Sequence, residues 1–252
     1  MTPARVVDAC KILNPAQLAE VPVSQSAADF SYVPPGRNHL FVPGPVNIHD
    51  KVQRAMAVPS ANHRDAWFSP WFKSILEDTK MIFDTQHGTP FIFPGTGTGG
   101  WESALTNTLC PGDKVVTFRY GVFSHLWIDM MQRLGLDVVV IDQPWGEAAD
   151  EARLDEVLRA DKEKKIKAVC VVHNETSTGV TSDLAFVRKV MDDNNHPALF
   201  MVDGVSSIGA LEFRYGSVAT WRVFLVWANE LEHAAAVEGA ILLRFYCDSV
   251  AL

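Results

Sequence analysis

Hydrophobic residues along this chain fall into two alternating patterns. Short, mainly apolar runs recur at residues 91–93, 115–118, 138–141, 168–172 and 198–202. Rich in Val, Ile and Phe, they predict strands buried on both faces. Between them, apolar residues return every three or four positions. The sets are Trp101, Leu105 and Leu109; Val122, Leu126, Met130, Met131 and Leu134; and Leu184, Val187 and Met191. That period predicts amphipathic helices. The last four strands begin at 115, 138, 168 and 198, leaving room for one helix between neighbours, as βαβ crossovers require. The expectation is an α/β fold: an open, mainly parallel sheet with helices on both faces. Ligands of such sheets sit beyond the carboxyl ends of the strands. The residues just after each run are therefore the candidates for chemistry.

Composition changes this picture only at its margins. The 252 residues are 48% hydrophobic, enough for one large α/β domain or one and a half ordinary ones. A formal net charge of −8 argues against nucleic acid as a partner, because phosphate backbones need a basic face. No long apolar run is free of charge, so no membrane span is expected. Cys10, Cys110, Cys170 and Cys247 stand far apart with no CxxC pair, the usage of buried free thiols in a reducing compartment. The N-terminal arm, residues 1–36, mixes Asp8, Glu20 and Asp29 with basic residues and lacks a leader's apolar block. Pro34-Pro35-Gly36 closes it, and Pro43-Gly44-Pro45 makes a second rigid loop. Ser249-Val250-Ala251-Leu252 is not a peroxisomal tripeptide, and the compartment stays open.

The strand ends carry a distinctive set. After residues 91–93 comes Pro94-Gly95-Thr96-Gly97-Thr98-Gly99-Gly100, then a helix. Small residues let backbone amides approach an anion, and a helix N-terminus adds partial positive charge. The plainer reading is a turn with an N-cap. Gly95-x-Gly97-x-x-Gly100 also matches a dinucleotide fingerprint, but the next strand ends in Arg119 instead of the acid a ribose needs, which leaves only an NADP variant. Then come Tyr120-Gly121-Val122-Phe123, whose phenyl ring can cover a planar heterocycle or simply belong to the core. His173-Asn174-Glu175-Thr176-Ser177 follows the fourth strand; no cysteine pair or second histidine stands at zinc spacing, so it reads as a polar rim. Asp203 ends the fifth strand. A buried acid there is costly without a partner, and either a protonated ring nitrogen or a helix cap would supply one.

A phosphate cradle, a stacking ring, a polar edge and a carboxylate are what pyridoxal phosphate requires. Residues 36–47, 88–91, 96–113, 173–180 and 202–213 resemble class V, fold-type I aminotransferases, most closely the serine–glyoxylate and alanine–glyoxylate types. The resemblance implies a fold-type I large domain over residues 37–214 and a diverged tail over 215–252. It implies that Thr96, Gly97 and Thr98 bind the phosphate and Phe123 stacks on the ring. Thr176 would bond the ring edge, Asp203 would meet the pyridine nitrogen, and Val205 would pack on the other ring face. Gly44 would line the substrate site. The implied substrates are an amino acid and a 2-oxo acid, and the implied assembly is a homodimer or a heterodimer with a full-length relative.

One element of the family pattern is missing. The lysine that carries the cofactor follows the aspartate by about two dozen residues in such enzymes, and here Asn229 falls nearest that position. No lysine occurs after Lys189. Covalent attachment of the cofactor is therefore not expected, since only an amine condenses with its aldehyde. The small C-terminal domain and its substrate-clamping arginine are also expected to be absent. Three readings follow: an aminotransferase-family chain inactive alone, a non-catalytic partner or regulator of a full-length relative, or an NADP-binding oxidoreductase.

Overall fold

The computed structural model describes residues 39–41, 47–83, 89–211, 223–228 and 239–244. The chain divides at Leu40, and every element below lies in the unit Phe41–Leu252. The expected arm, residues 1–36, lies outside the described residues, as do Gly44 and Asn229.

Helices α1 (Asp50–Met56) and α2 (Phe68–Ile82) lead into strand β1 (Thr89–Pro94). Then come α3 (Gly97–Thr108), β2 (Lys114–Arg119), α4 (Val122–Arg133), β3 (Asp137–Asp142), α5 (Glu151–Ala160) and β4 (Ile166–Val172). A two-strand ladder, β5 (Asn174–Glu175) with β6 (Val180–Thr181), precedes α6 (Leu184–Asp193) and β7 (Leu199–Asp203). Strands β8 (Val223–Ala228) and β9 (Gly239–Arg244) follow. Helix starts obey the capping rule: Thr96, Asp150 and Asp183 each accept a hydrogen bond from a first-turn amide of α3, α5 and α6.

Seven strands form one sheet in the order β1-β9-β8-β7-β4-β2-β3. Neighbours from β8 to β3 are parallel, and β9 runs antiparallel to both β8 and β1. Chain order therefore steps one way from β1 to β2 to β3, then reverses through β4, β7 and β8. With right-handed crossovers, that reversal puts α3 and α4 on one face and α5 and α6 on the other. The packing agrees, since α3 touches α4 and α5 touches α6. The mainly parallel sheet with two helical faces is thus the one the apolar pattern predicted. Its core is the set of fully buried residues on β2, β4 and β7, among them Val115, Val116, Val169, Phe200 and Val202. Each such side chain stabilises the fold by about 1.5–3 kcal/mol relative to exposure.

Two local expectations need correction. The runs are not all buried on both faces: Phe91 and Phe93 on β1 are exposed, and β3 is only part-buried, because both strands are sheet edges. On α4 the buried face is Ser124, Trp127, Ile128 and Met131, while Val122 and Leu126 stand outside at 38% and 44% exposure. A period of 3.6 fits two neighbouring stripes on this helix; packing against β2 and β3 kept Met131, with Met130 and Leu134 against the core, but buried Ser124 and Trp127 in place of Val122 and Leu126. The stretch from 215 onward contributes two strands to the main sheet. β8 extends the parallel ladder, pairing Asp203 with Val226, and β9 joins it to β1.

Candidate functional site

Because β1, β2, β4, β7 and β8 share one direction, their carboxyl ends lie along one edge of the sheet. The crossover after β2 leaves on one face and that after β4 on the other, so a crevice opens between these neighbours. The loops lining it are those singled out in the sequence.

Glu175 closes this crevice. It is fully buried, and its carboxyl group accepts from the amides of Phe123 (3.2 Å) and Ser124 (3.0 Å) in the first turn of α4. Ser177 donates its hydroxyl to the same group at 2.7 Å, while its own oxygen accepts from Val122 N. An acid from β5 thus caps a helix from another part of the chain. Gly121 makes room for it: a Cβ there would lie 2.2 Å from Glu175 Cγ. The result holds Phe123, 38% exposed, beside the loop that carries Thr176. Thr176 in turn donates to Ser206 Oγ at 2.8 Å, and Ser206 donates to the Asn174 carbonyl at 2.9 Å. This ties the rim after β4 to the turn after β7.

Asp203 ends β7 at 4% exposure. One carboxylate oxygen accepts from Val205 N at 2.9 Å and the other from the Trp101 indole at 3.0 Å. Burial pushes its pKa up to about 7; those two hydrogen bonds act in the opposite direction, and the charge of Glu175 reinforces the rise. A carboxyl group so placed is poised to accept a further cationic donor. Beside it, His173 bonds Ser207 Oγ at 2.8 Å, and burial lowers its pKa to about 4, so the imidazole is neutral at physiological pH.

Trp101 sits in the second turn of α3, whose N-terminus is formed by the 96–98 loop. Thr96 Oγ1 accepts from Gly99 N at 3.1 Å, which makes it a true N-cap, and Thr96 and Thr98 are exposed. The loop is a capped helix start whose two threonines stand open to solvent. Through Trp101 the helix reaches Asp203, so Thr96, Gly97, Thr98, Phe123, Thr176, Asp203 and Val205 all belong to one connected strand-end region. Sequence reasoning placed Trp101 only in the core stripe and Glu175 only in a polar rim; their bonds cross 102 and 52 residues and left no local signal. Arg119 is paired with Asp142 on β3. Among the described residues no group of His, Cys, Asp and Glu is arranged to hold a metal ion, and no helix is long and apolar enough to cross a membrane.

This topology and strand-end site define a fold-type I α/β chain. A family model described as Aminotransferase class-V matches residues 55–218, and the chain belongs to that family. It is 61% identical over 180 residues to a serine–glyoxylate aminotransferase of Methylorubrum extorquens, an alignment covering 71% of this chain and 45% of the relative. It is 54% identical over 186 residues to that of Arabidopsis thaliana, covering 74% of this chain and 46% of the relative. An alanine–glyoxylate aminotransferase structure from Nostoc sp. superposes with a TM-score of 0.70 at 26% identity, over 88% of this chain and 58% of that one. The chain spans less than half the length of these curated relatives. Pyridoxal phosphate is the cofactor that membership of this family implies.

Proposed function

We propose that this chain provides the pyridoxal-phosphate site of a glyoxylate-type aminotransferase, of the serine or alanine class, and that it does not transaminate alone. The observation that carries the reading is Asp203. A buried carboxyl group at a strand end, raised to about 7, matches a protonated pyridine nitrogen, which would hold it ionised.

The residues around it fit the rest of the cofactor. The amides and hydroxyls of Thr96, Gly97 and Thr98 would hold the phosphate at the N-terminus of α3. Phe123 and Val205 would take the two ring faces, and Thr176 the ring edge. The bound group supplies an electron sink for the amino acid's Cα when it loses a proton. Asp203 keeps the proton on the ring nitrogen, and the neutral His173 beside it does not compete for that negative charge. Glu175 keeps Phe123 and the 176–177 loop at fixed separation.

What the chain lacks is an amine in the right place. β8 runs parallel to β7 with Val226 opposite Asp203, so Ala228 ends its strand on the same edge of the sheet as the carboxylate. Residues 190–252 contain no lysine. A second reading draws on the same observation: a chain with these strand-end residues but no lysine after Lys189 suits a non-catalytic partner of a full-length relative. Nothing favours the NADP reading, since the arginine that kept it open is paired with Asp142.

The test is to add pyridoxal phosphate, reduce with borohydride and map any adduct, alongside an assay with serine or alanine and glyoxylate. We expect non-covalent binding that Asp203→Asn weakens, no stoichiometric adduct, and no turnover. An adduct that depends on Asp203, or turnover by the unmodified chain, would overturn the inactive reading. Binding indifferent to Asp203→Asn would overturn the site itself. Co-migration with a full-length serine–glyoxylate relative in light scattering separates the partner reading from the solitary one.

A further inference from the structure

Trp101 joins three parts of the site. Its helix, α3, begins at the 96–98 loop; its indole N–H donates to Asp203 Oδ2 at 3.0 Å; and its ring stacks on Trp127 of α4, with centroids 5.7 Å apart and planes 16° from parallel. Trp127 lies one turn beyond Phe123 on the same helix. Both indoles are buried, Trp101 at 3% exposure and Trp127 at 0%. Among the described residues Trp127's own N–H has no hydrogen-bond partner, so it offers Trp101 an aromatic face and competes for none of their acceptors.

We propose that Trp101 is a positioning residue: clamped by Trp127, its indole N–H fixes one oxygen of Asp203 so that the carboxylate is aimed at a protonated aromatic nitrogen. A carboxylate on a single-bond pivot needs both oxygens held to keep one direction. Val205 N holds Oδ1 and Trp101 holds Oδ2, from opposite sides of the chain's order. Both bonds favour the charged form, and each oxygen keeps a lone pair for a third donor. The other ionisable groups near Asp203 are Glu175 on β5, Tyr120 immediately after β2, and His173 after β4, whose amide donates to the Asp203 carbonyl. None of them donates a hydrogen bond to its carboxylate among the described residues, so Trp101 is the side chain that orients it.

The inference rests on reading Asp203 as the ring-nitrogen partner, and the experiment separates the two. In the unmodified cofactor-free chain, the Trp101 indole 15N–H resonance should move with pH at the same midpoint as the Asp203 13Cγ resonance, and that movement should vanish in Asp203→Asn. Trp101→Phe keeps an aromatic ring on Trp127 but removes the donor. It should raise the Asp203 midpoint and weaken pyridoxamine 5′-phosphate, a probe that cannot condense with a lysine, by about tenfold. An indole resonance that ignores pH, or a Trp101→Phe midpoint equal to the parent's, overturns the proposal even if affinity falls, because a merely structural loss would do the latter alone. Should Trp101→Phe not fold, the indole titration of the parent chain decides. If Asp203→Asn binds the probe as the parent does, the cofactor reading fails while the indole titration still judges the contact.

Discussion

Adding one methyl group at Gly121 should disturb the whole clasp between α4 and the loop after β4. The backbone at Gly121 is extended, φ 179°, a conformation any residue adopts, so the cost of Gly121→Ala is steric and not conformational. The new Cβ would sit 2.2 Å from Glu175 Cγ and 2.3 Å from Cδ, well inside contact distance. Glu175 is fully buried and anchored by Phe123 N, Ser124 N and Ser177 Oγ, so it cannot swing aside without breaking those bonds. Overpacking of this kind costs about 1–3 kcal/mol. At about 2–4 °C per kcal/mol for a unit of this size, a 2 kcal/mol cost lowers Tm by roughly 4–8 °C. Glu175→Ala alone should also destabilise by about 1–3 kcal/mol, because it leaves the buried Ser124 amide without an acceptor. The two losses share one cause, so the double variant should be more stable than their sum, by about 1–2 kcal/mol of coupling. Urea denaturation of the parent, both single variants and the double variant closes the cycle. Strict additivity would refute the argument that Gly121 is there to admit Glu175.

Three further outcomes follow from the site. Asp203 keeps its proton in the folded state up to about pH 7, while the unfolded chain loses it near the ordinary value of 3.8. Its contribution to stability is therefore present below that window and lost as pH rises through it. The stability of Asp203→Asn relative to the parent should increase between about pH 4 and about pH 7, read from urea midpoints; His173, which titrates with the opposite sign, is common to both proteins and cancels. Thr98→Asp sets a like charge at the N-terminus of α3 and should abolish pyridoxamine 5′-phosphate binding by equilibrium dialysis without lowering Tm, since Thr98 is exposed; unchanged affinity would remove the 96–98 loop from the site. With Cys10 and Cys247 replaced by serine, one thiol should react with a disulfide reagent under native conditions. That thiol is the exposed Cys110, because burial raises the Cys170 pKa and shields its sulfur; rapid labelling of both would contradict the packing of β4.

The sequence alone determined the layered α/β class of this protein and pointed to the strand ends as the place to look for its chemistry. Strand runs of Val and Ile, helical stripes between them, and the rule that ligands meet parallel strands at their carboxyl ends are short-range signals. They led to Thr96, Phe123, Thr176 and Asp203 without reference to any partner in space. They also showed the absence of lysine after Lys189, which no folding can change. What the tertiary structure decided is which residues meet. Periodicity could not say which of two stripes on α4 faces the sheet, nor that β1 and β3 are edges, because both depend on strand neighbours far away in the chain. Val223, Leu225 and Trp227 mark an apolar segment able to pack, but not one that extends the ladder beside β7. Above all, the indole that holds Asp203 and the acid that caps α4 come from 102 and 52 residues away. A buried polar group must find its partner once water is excluded, and that demand is met only when the whole sheet has brought the strand ends together.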